Sequence, residues 1–340
     1  MVLNIIFIIV GIAIVLWGAD RLTDGAVALA QKMNIPEIVI GLTIVAMGTS
    51  MPEFFVSLMS AINGTPDLAV GNVVGSNIFN SLLIVGVAAI VAPMVISKST
   101  VKKDIPFAVL ASALLFGLGL DNNISRIDAL ILSIVFVFFM IYTVRTGKQG
   151  SQENTNENSN KIENKEKQAK NQNTLSQFFK FLIGKEKEKL MPIWIAIILL
   201  LIGLACLIFG SNLFVNAATE VATALGVSQA IIGLTIVAGG TSLPELATSV
   251  VAAKKGQSAI AMGNVIGSNV MNILMILGIT GLICPMQVNG ITIVDLSILL
   301  LSAVLLWLFS YTKYTVQRWE GVVLCAIFGG YMAWLISSAI

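Results

Sequence analysis

The sequence predicts an all-α polytopic membrane protein with ten transmembrane helices, arranged as two inverted five-helix repeats with broken helices at the midplane of the bilayer. The first observation is composition: of 340 residues, 56% are hydrophobic and 11% are charged, whereas soluble domains are about one quarter charged. The second is a set of apolar runs of about 20 residues, long enough to cross a bilayer as helices. The third is a pair of motifs that recurs at a fixed offset.

Ten apolar runs define the predicted spans. They lie near residues 3–21, 37–61, 68–93, 105–120, 127–144, 192–212, 229–253, 258–284, 293–311 and 319–338. The first run has no basic residues before it and no obvious small-residue cleavage site, so we interpret it as a retained span rather than a signal peptide. Five spans fall in an N-terminal half, 1–144, and five in a C-terminal half, 192–340, with a polar loop, 145–191, between them.

The basic residues predict the orientation of these spans. If the N-terminus is outside, 19 of the 20 lysines and arginines fall in inside loops, and only Arg126 falls outside. Such a bias is typical of a multi-pass protein with its lysine-rich loops in the cytosol. We therefore expect a cell-membrane protein with an external N-terminus and a cytosolic central loop. Within that loop, residues 150–174 are polar and Asn-rich, and we expect them to be disordered.

Several function classes are excluded by composition. The chain has no histidine, which removes Ser-His catalysis and HExxH metalloprotease chemistry. Its three cysteines are scattered through apolar segments and fit packing better than a disulfide framework or a metal motif. The net charge of +2 is too small to indicate a nucleic-acid partner. Any ion chemistry must use carboxylates, amides, hydroxyls and backbone carbonyls.

Self-comparison identifies an internal repeat. Residues 39–58, VIGLTIVAMGTSMPEFFVSL, match residues 231–250 at 13 of 20 positions, and GNVVGSNIFN at 71–80 matches 263–272 at 7 of 10. Both pairs have the same offset of 192. Because each half has an odd number of spans, the second copy is upside down in the bilayer. Inverted repeats are the architecture of many secondary transporters, whose binding sites lie near the midplane.

The motif GTSMPE, residues 48–53, predicts a helix that breaks inside the membrane. Pro52 has no backbone N–H and is suited to the first turn of a new helix, with Ser50 as its cap. The spacing of Ser50 and Glu53 also matches a capping box. The break is expected to release backbone carbonyls near Ala46. Because free carbonyls are costly in lipid, they should line a protein or ion cavity.

Glu53 and its equivalent Glu245 are the two acidic residues that fall deep inside apolar spans. A charge at the centre of a membrane helix costs at least about 2.5–3.5 kcal/mol, and a neutral glutamine would serve as well for capping. A capping role alone is therefore a poor explanation. We interpret the two carboxylates as ligands for a cation.

The second motif predicts a polar stripe on one helical face. Three side chains stand at i, i+4 and i+8 in each half: Asn72, Ser76 and Asn80, then Asn264, Ser268 and Asn272. Gly71 and Gly75 in the same motif indicate close helix packing. Together with the glutamates, hydroxyls and carbonyls, the amides would form an all-oxygen shell. Such a shell favours Ca²⁺, which takes six to eight oxygen ligands, over Mg²⁺ and over soft metals.

These motifs resemble the two alpha-repeats of the calcium/cation antiporter superfamily, here residues 39–80 and 231–272, and the closest resemblance is to prokaryotic sodium/calcium exchangers. The resemblance extends over nearly the whole chain. It implies four cation positions at the centre of the protein, and first and sixth spans that slide across this core. Matched position by position, it implies these ligands: Glu53, Glu245, Thr49, Ser50, Thr241, Ser242, Asn80, Asn272, Ser76, Ser268, and the carbonyls of Ala46 and Ala238.

The resemblance implies a Na⁺/Ca²⁺ antiporter rather than an enzyme, with Ca²⁺ and Na⁺ as transported ions, no cofactor, membrane lipid as its surroundings, and a functional monomer. Relatives often carry an aspartate at one of the positions held here by Asn80 and Asn272, which argues against potassium dependence. A Ca²⁺/H⁺ antiporter of the same fold and a potassium-dependent exchanger remain alternatives. From other classes, a cation channel fits inverted repeats less well, and an intramembrane enzyme lacks a nucleophile–base pair.

Overall fold

The computed structural model describes residues 1–146, 191–226, 238–287 and 290–339, and within these ranges the chain is almost entirely helical. The N-terminal half contains α1 (Val2–Met33), α2 (Glu37–Thr49), α3 (Met51–Ile62), α4 (Pro66–Val91), α5 (Thr100–Asp121) and α6 (Arg126–Thr146). The C-terminal half contains α7 (Ile193–Ala224), α8 (Ala238–Thr241), α9 (Leu243–Lys254), α10 (Ser258–Ile283), α11 (Ile293–Tyr311) and α12 (Arg318–Ala339). The prediction of an all-α polytopic membrane protein is confirmed.

Eight of the described helices are long and apolar enough to cross a membrane, and the bent pair α2–α3 forms a ninth span. The remaining predicted span, 229–253, is the seventh along the chain. Its first residues fall within 227–237, which lie outside the described ranges, and its last residues belong to α8 and α9. The predicted spans 3–21 and 192–212 were too short. Both helices contain 32 residues, because they continue beyond the ends of the apolar runs at residues 21 and 212.

Ser50 separates α2 from α3, whose axes differ in direction by 46°. Its backbone is non-helical (φ −84°, ψ 6°), and Pro52 occupies the first turn of α3, as the sequence predicted. Ser242 separates α8 from α9 in the same way (φ −88°, ψ 7°), with Pro244 in the first turn of α9. The prediction of broken helices is therefore confirmed in both halves.

The helices α1 and α7 cross each other in opposite directions. A Cβ atom on Gly11 would lie 2.9 Å from the Gly210 carbonyl oxygen, and one on Gly18 would lie 2.8 Å from that of Gly203. The offset of 192 that relates the motifs also relates Gly11 to Gly203 and Gly18 to Gly210. Each glycine therefore faces the repeat equivalent of the other, which is the contact pattern of a two-fold axis. Antiparallel equivalents are what an inverted repeat requires.

Four two-residue strands repeat this symmetry at the ends of the bundle: β1 (Met94–Val95), β2 (Asn123–Ile124), β3 (Met286–Gln287) and β4 (Thr315–Val316). The offset relates β1 to β3 and β2 to β4, yet β1 pairs with β4 and β2 pairs with β3, both antiparallel. The exchange of partners across the halves connects them into one unit. Within this unit, α4 and α10 are the most buried of the long helices.

The glycines of the second motif pack closely in the C-terminal half. Added Cβ atoms on Gly263 and Gly267 would lie 2.8 Å from the Ile38 carbonyl oxygen and 2.7 Å from that of Leu42. The predicted close approach of helices is thus confirmed there. The equivalent partners of Gly71 and Gly75 fall at 230 and 234, outside the described residues.

Candidate site between the two broken helices

Glu53 and Glu245 lie in the first turns of α3 and α9 and are 0% and 1% exposed. A carboxylate is favoured there because the N-terminal end of a helix carries partial positive charge. Among the described residues no lysine or arginine forms an ion pair with either glutamate. Two buried carboxylates without counter-charges are costly, so this arrangement calls for bound cations or protons.

Hydrogen bonds between the halves bring the two glutamates together. Ser50 Oγ donates to Glu245 Oε1 at 3.0 Å, and Ser242 Oγ donates to Glu53 Oε1 at 3.1 Å. Each serine therefore precedes the helix of one glutamate and binds the glutamate of the other half. Both acids therefore lie at the interface between the two halves.

This geometry corrects the predicted capping box. Among the described residues, neither Ser50 nor Ser242 caps its own helix with its side chain. A true capping box occurs at α11, where the Asp295 carboxylate accepts hydrogen bonds from the Thr292 N–H and hydroxyl at 2.8 and 2.7 Å. Glu320 similarly accepts from the Gln317 N–H at 2.7 Å. The serines at the breaks instead donate across the interface between the halves.

The inference about released carbonyls was also wrong in one detail. The Ala46 carbonyl still accepts a hydrogen bond from the Ser50 N–H at 3.0 Å, and Thr49 Oγ1 lies 3.4 Å from the same oxygen. A proline removes the donor for the carbonyl four residues earlier, which is Gly240 for Pro244. The hydroxyl of Ser211 on α7 donates to this Gly240 carbonyl, a contact that sequence reasoning missed.

The polar stripes of α4 and α10 face the glutamate helices. Asn72 Nδ2 donates to the Glu53 backbone carbonyl at 3.2 Å and to Ser57 Oγ at 2.9 Å. Asn264 repeats this with the Glu245 carbonyl and with Ser249 Oγ, at 3.3 and 3.0 Å. The two serines were missed, although each stands one turn after its glutamate at the repeat offset. These amides are structural clamps that fix the first turns of α3 and α9.

Other predicted residues lie around the carboxylates. Thr49 Oγ1 donates to the side-chain oxygen of Asn264 at 3.0 Å, and Ser268 Oγ lies 3.5 Å from Glu245 Oε1. Ser76 is buried on α4, one turn before Asn80. In the C-terminal half, Ala238 and Thr241 are the first and last residues of α8, directly before the break.

Asn80 and Asn272 lie in π-helical turns, Phe79–Ile84 and Met271–Ile276, which interrupt α4 and α10. Such turns are frequent at functional sites. The turn of Asn80 packs against α9, which carries Glu245, and the turn of Asn272 packs against α3, which carries Glu53. The π-helical turns were not predicted, because their sequences are apolar except for the asparagine and Ser81.

Six buried polar atoms at this place have no hydrogen-bond partner within the part of the chain that the structure describes. They are Oε2 of Glu53, Oε2 of Glu245, and both amide atoms of Asn80 and Asn272. Buried polar groups in native proteins are nearly always satisfied by protein, water or a ligand. All six belong to predicted ligand residues that the repeat relates in pairs, and four of the six are oxygens. The donor set of carboxylates, amides and hydroxyls fits hard cations such as Ca²⁺ and Na⁺.

Comparison with known proteins identifies the family. The model of the family described as sodium/calcium exchanger protein matches residues 3–145 and 195–337. Sodium/calcium exchanger MaX1 of Methanosarcina acetivorans is 32% identical to this chain, over 98% of this chain and 97% of its own length. Inner membrane protein YrbG of Escherichia coli is 33% identical over 98% of this chain and 96% of its own length.

A solved structure agrees with these matches. The sodium-calcium exchanger NCX_Mj, in crystals soaked with Na⁺ and Ca²⁺, superposes with a TM-score of 0.79 at 28% identity and covers 98% of both chains. The alignment therefore includes both halves of this chain, each with its broken helix. The chain belongs to the sodium/calcium exchanger protein family, whose members are membrane transporters.

Proposed function

We propose that this protein is a secondary antiporter that exchanges Na⁺ for Ca²⁺ across the cell membrane by alternating access. The cations bind between the two broken helices, with Glu53 and Glu245 as shared carboxylate ligands. The remaining ligands are hydroxyl, amide and carbonyl oxygens from both halves: Thr49, Ser50, Thr241, Ser242, Ser76, Ser268, Asn80, Asn272, Ala46 and Ala238. The N-terminus lies outside, the central loop lies in the cytosol, and the monomer is the functional unit.

The observation that carries this proposal is the crosswise pairing of Ser50 with Glu245 and of Ser242 with Glu53, at 3.0 and 3.1 Å. Because each carboxylate is held by the opposite half, the broken helices of both halves form one core whose ligands stay together, while a movement of other helices, such as α1 and α7, across this core changes access to the site. Alternating access around a fixed midplane site works in this way. The names of MaX1 and NCX_Mj support Na⁺ and Ca²⁺ as the ions.

Charge explains how Ca²⁺ and Na⁺ compete for one site. With both glutamates ionised and asparagines at 80 and 272, the ligands carry a formal charge of −2. One Ca²⁺ neutralises them, and several Na⁺ ions can replace it on the same oxygens. Because neither state leaves a large uncompensated charge in a low-dielectric core, both loaded forms can change their access.

A Ca²⁺/H⁺ antiporter is the second candidate. It is favoured by the absence, among the described residues, of any cationic side chain paired with the two buried carboxylates. Two protons would neutralise them as fully as one Ca²⁺. A potassium-dependent exchanger is less favoured, because Asn80 and Asn272 add no further negative charge for an additional cation.

Ion-substitution flux distinguishes these candidates. The purified protein is reconstituted into liposomes, and ⁴⁵Ca²⁺ uptake is measured with outward gradients of Na⁺, K⁺, Li⁺ or H⁺. We expect uptake to require the Na⁺ gradient and to be indifferent to added K⁺. Uptake driven equally well by a pH gradient without Na⁺ would establish the Ca²⁺/H⁺ antiporter instead. Uptake insensitive to every gradient would overturn coupled exchange.

A further inference from the structure

A network of ion pairs joins α1 to the turn between α9 and α10. The Lys255 ammonium lies 2.6 Å from Asp20 Oδ1 and 2.7 Å from Asp24 Oδ1, and it also donates to the Asp20 backbone carbonyl at 3.1 Å. All three side chains are about one-third exposed, so the network lies at the surface of one end of the bundle. It connects α1 to the two helices that carry Glu245 and Asn264.

The equivalent contact of the repeat has uncharged residues. The offset of 192 relates the three charged residues Asp20, Asp24 and Lys255 to three asparagines, Asn212, Asn216 and Asn63. The turn itself is preserved, because Gly64 and Gly256 both have φ of +77° and directly follow the residues compared. The backbone geometry of the turn is thus matched in the two halves, while the charges occur at one of the two equivalent contacts.

An interaction at only one of two repeat-related contacts has a defined consequence in an inverted repeat. Alternating access moves one helix bundle against another around a fixed site, and the two halves exchange their roles between the two access states. An ion pair built into both contacts would stabilise both states equally and would favour neither. An ion pair built into one contact stabilises one state, and by mass action it lowers the apparent affinity of any ligand that binds the other.

We propose that Lys255, with Asp20 and Asp24, forms a one-sided ionic latch that stabilises the conformation described here and sets the equilibrium between the two access states. The proposal rests on the proposed exchange function, because it concerns the regulation of that cycle. Lys255 is a positioning residue: it acts on cation binding through the position of α1 rather than through contact with the cations.

Arg21 makes the latch reversible. Its guanidinium lies 2.8 Å from Asp20 Oδ2 and 3.8 Å from Asp24 Oδ2, on the same helix as both acids. When Lys255 withdraws, the two carboxylates keep a cationic partner, and the partly exposed ammonium returns to water. No charge is left buried without a partner, so the latch can open and close in every transport cycle.

The first test is Lys255→Gln in reconstituted protein. Half-saturation by Ca²⁺ is measured separately at each face of the membrane. We expect the two values to move in opposite directions by about threefold to tenfold, because exposed ion pairs are modest in strength and act here only on the state equilibrium. The shift should shrink in concentrated choline chloride, which screens surface charges. Equal shifts at both faces, or none, would overturn the latch.

The second test moves the latch to the equivalent contact of the repeat. Asn63→Lys, Asn212→Asp and Asn216→Asp are combined with Lys255→Gln, which transfers the charges to the contact between α7 and the turn from α3 to α4. The two half-saturation values should then shift in the same sense as in Lys255→Gln alone and by a larger factor, because the transplanted charges stabilise the other access state. Lys254→Gln is the matched control, since it removes the neighbouring charge and should leave both values unchanged. A transplant whose shifts are no larger than those of Lys255→Gln alone would contradict the proposal.

A distance measurement separates this proposal from the function itself. Spin labels are attached at exposed positions Met33 and Ile62 in protein whose three native cysteines are replaced by alanine. The distance between the labels is recorded by double electron–electron resonance without any ion gradient. Lys255→Gln, and to a greater extent the transplant, should lower the population of one distance and raise that of a second distance. Unchanged distances overturn the latch. Changed distances in a protein that shows no Ca²⁺ flux would uphold the latch and reject the exchange function.

Discussion

At the scale of single residues, the glutamates illustrate which part of the site a sequence contains. A carboxylate inside an apolar run is conspicuous because a buried charge is costly, and this identified Glu53 and Glu245. The motif SxxE was misleading at the same place, because it predicts a local cap. The serine hydroxyls donate instead to the opposite half, at 3.0 and 3.1 Å. A contact between residues 195 positions apart has no local signature.

Neutralising either glutamate should remove transport without unfolding the protein. Glu53→Gln or Glu245→Gln keeps the shape and the hydrogen-bonding atoms but removes a charge that would face the cation. We expect Ca²⁺ flux to fall by about 10-fold to 150-fold, since an interaction with a charged group contributes about 1.5–3 kcal/mol. The measurement is ⁴⁵Ca²⁺ uptake by liposomes with equal protein content. Gel filtration of each variant checks that it is folded.

Glu220→Gln is the control for this prediction. Glu220 lies exposed on α7 and accepts a hydrogen bond from Asn4 at 2.7 Å, far along the helix from the breaks. Flux in this variant should be close to that of the unmodified protein. Near-normal flux in either Glu53→Gln or Glu245→Gln would reject the assignment of the cation ligands.

The side-chain amides of Asn80 and Asn272 have no hydrogen-bond partner among the described residues. We therefore expect their replacement to weaken cation binding without lowering the thermal stability of the protein. Replacing an unsatisfied buried polar group by an apolar one of similar shape is neutral or stabilising. Asn80→Leu or Asn272→Leu should therefore melt at the same temperature or higher in cation-free detergent. We expect Ca²⁺ to raise the melting temperature of the unmodified protein but not that of either variant. Differential scanning fluorimetry with and without Ca²⁺ measures both effects.

Asn264→Leu is the matched control for the amides. Its side chain donates to the Glu245 carbonyl and to Ser249, so its loss leaves buried acceptors unpaired. This variant should melt at a lower temperature even without cations. If Asn80→Leu is destabilised to the same extent as Asn264→Leu, the amide of Asn80 has a structural partner and is not a vacant ligand.

At the scale of helices, the breaks were predictable and the helix lengths were not. Pro52 and Pro244 locate the breaks because proline cannot continue a helix. The ends of α1 and α7 were missed because hydropathy falls before the helices end. Polar residues beyond the apolar run stay helical, since they pair with neighbours, as Asp24 of α1 does with Lys255. The π-helical turns were likewise invisible, because a local change in hydrogen bonding needs no distinctive residue.

The crossing of α1 and α7 predicts a steric requirement for glycine. A Cβ on Gly18 would lie 2.8 Å from the Gly203 carbonyl oxygen, and one on Gly203 would lie 2.6 Å from the Leu22 nitrogen. Gly18→Val or Gly203→Val should separate the helices and destabilise the protein by about 1–3 kcal/mol, the usual cost of overpacking. The measurement is the melting temperature in detergent.

Gly117→Ala on α5 is the control, because no described atom lies within 4 Å of its added Cβ. It should melt within a degree or two of the unmodified protein. If Gly18→Val and Gly203→Val melt at the same temperature as this control, the two helices do not pack as closely as the structure has them.

At the scale of the whole molecule, counting spans predicted the inversion, since an odd number of crossings turns the second half over. The contacts that the two halves make with each other could not be predicted from the number of spans. Gly18 facing Gly203, β1 pairing with β4 and Ser50 binding Glu245 are all contacts between residues that the offset does not relate directly. They follow from a two-fold axis that exists only when both halves are folded together.

Those exchanged contacts place two buried carboxylates in one oxygen-rich site, which is the central claim. Crystals soaked in Sr²⁺, a heavier substitute for Ca²⁺, test it by anomalous diffraction. The account predicts the strongest anomalous peak between Glu53 and Glu245, within coordination distance of both, and its loss in Glu245→Gln crystals. A strongest peak elsewhere, or one bound by a single carboxylate, would contradict it.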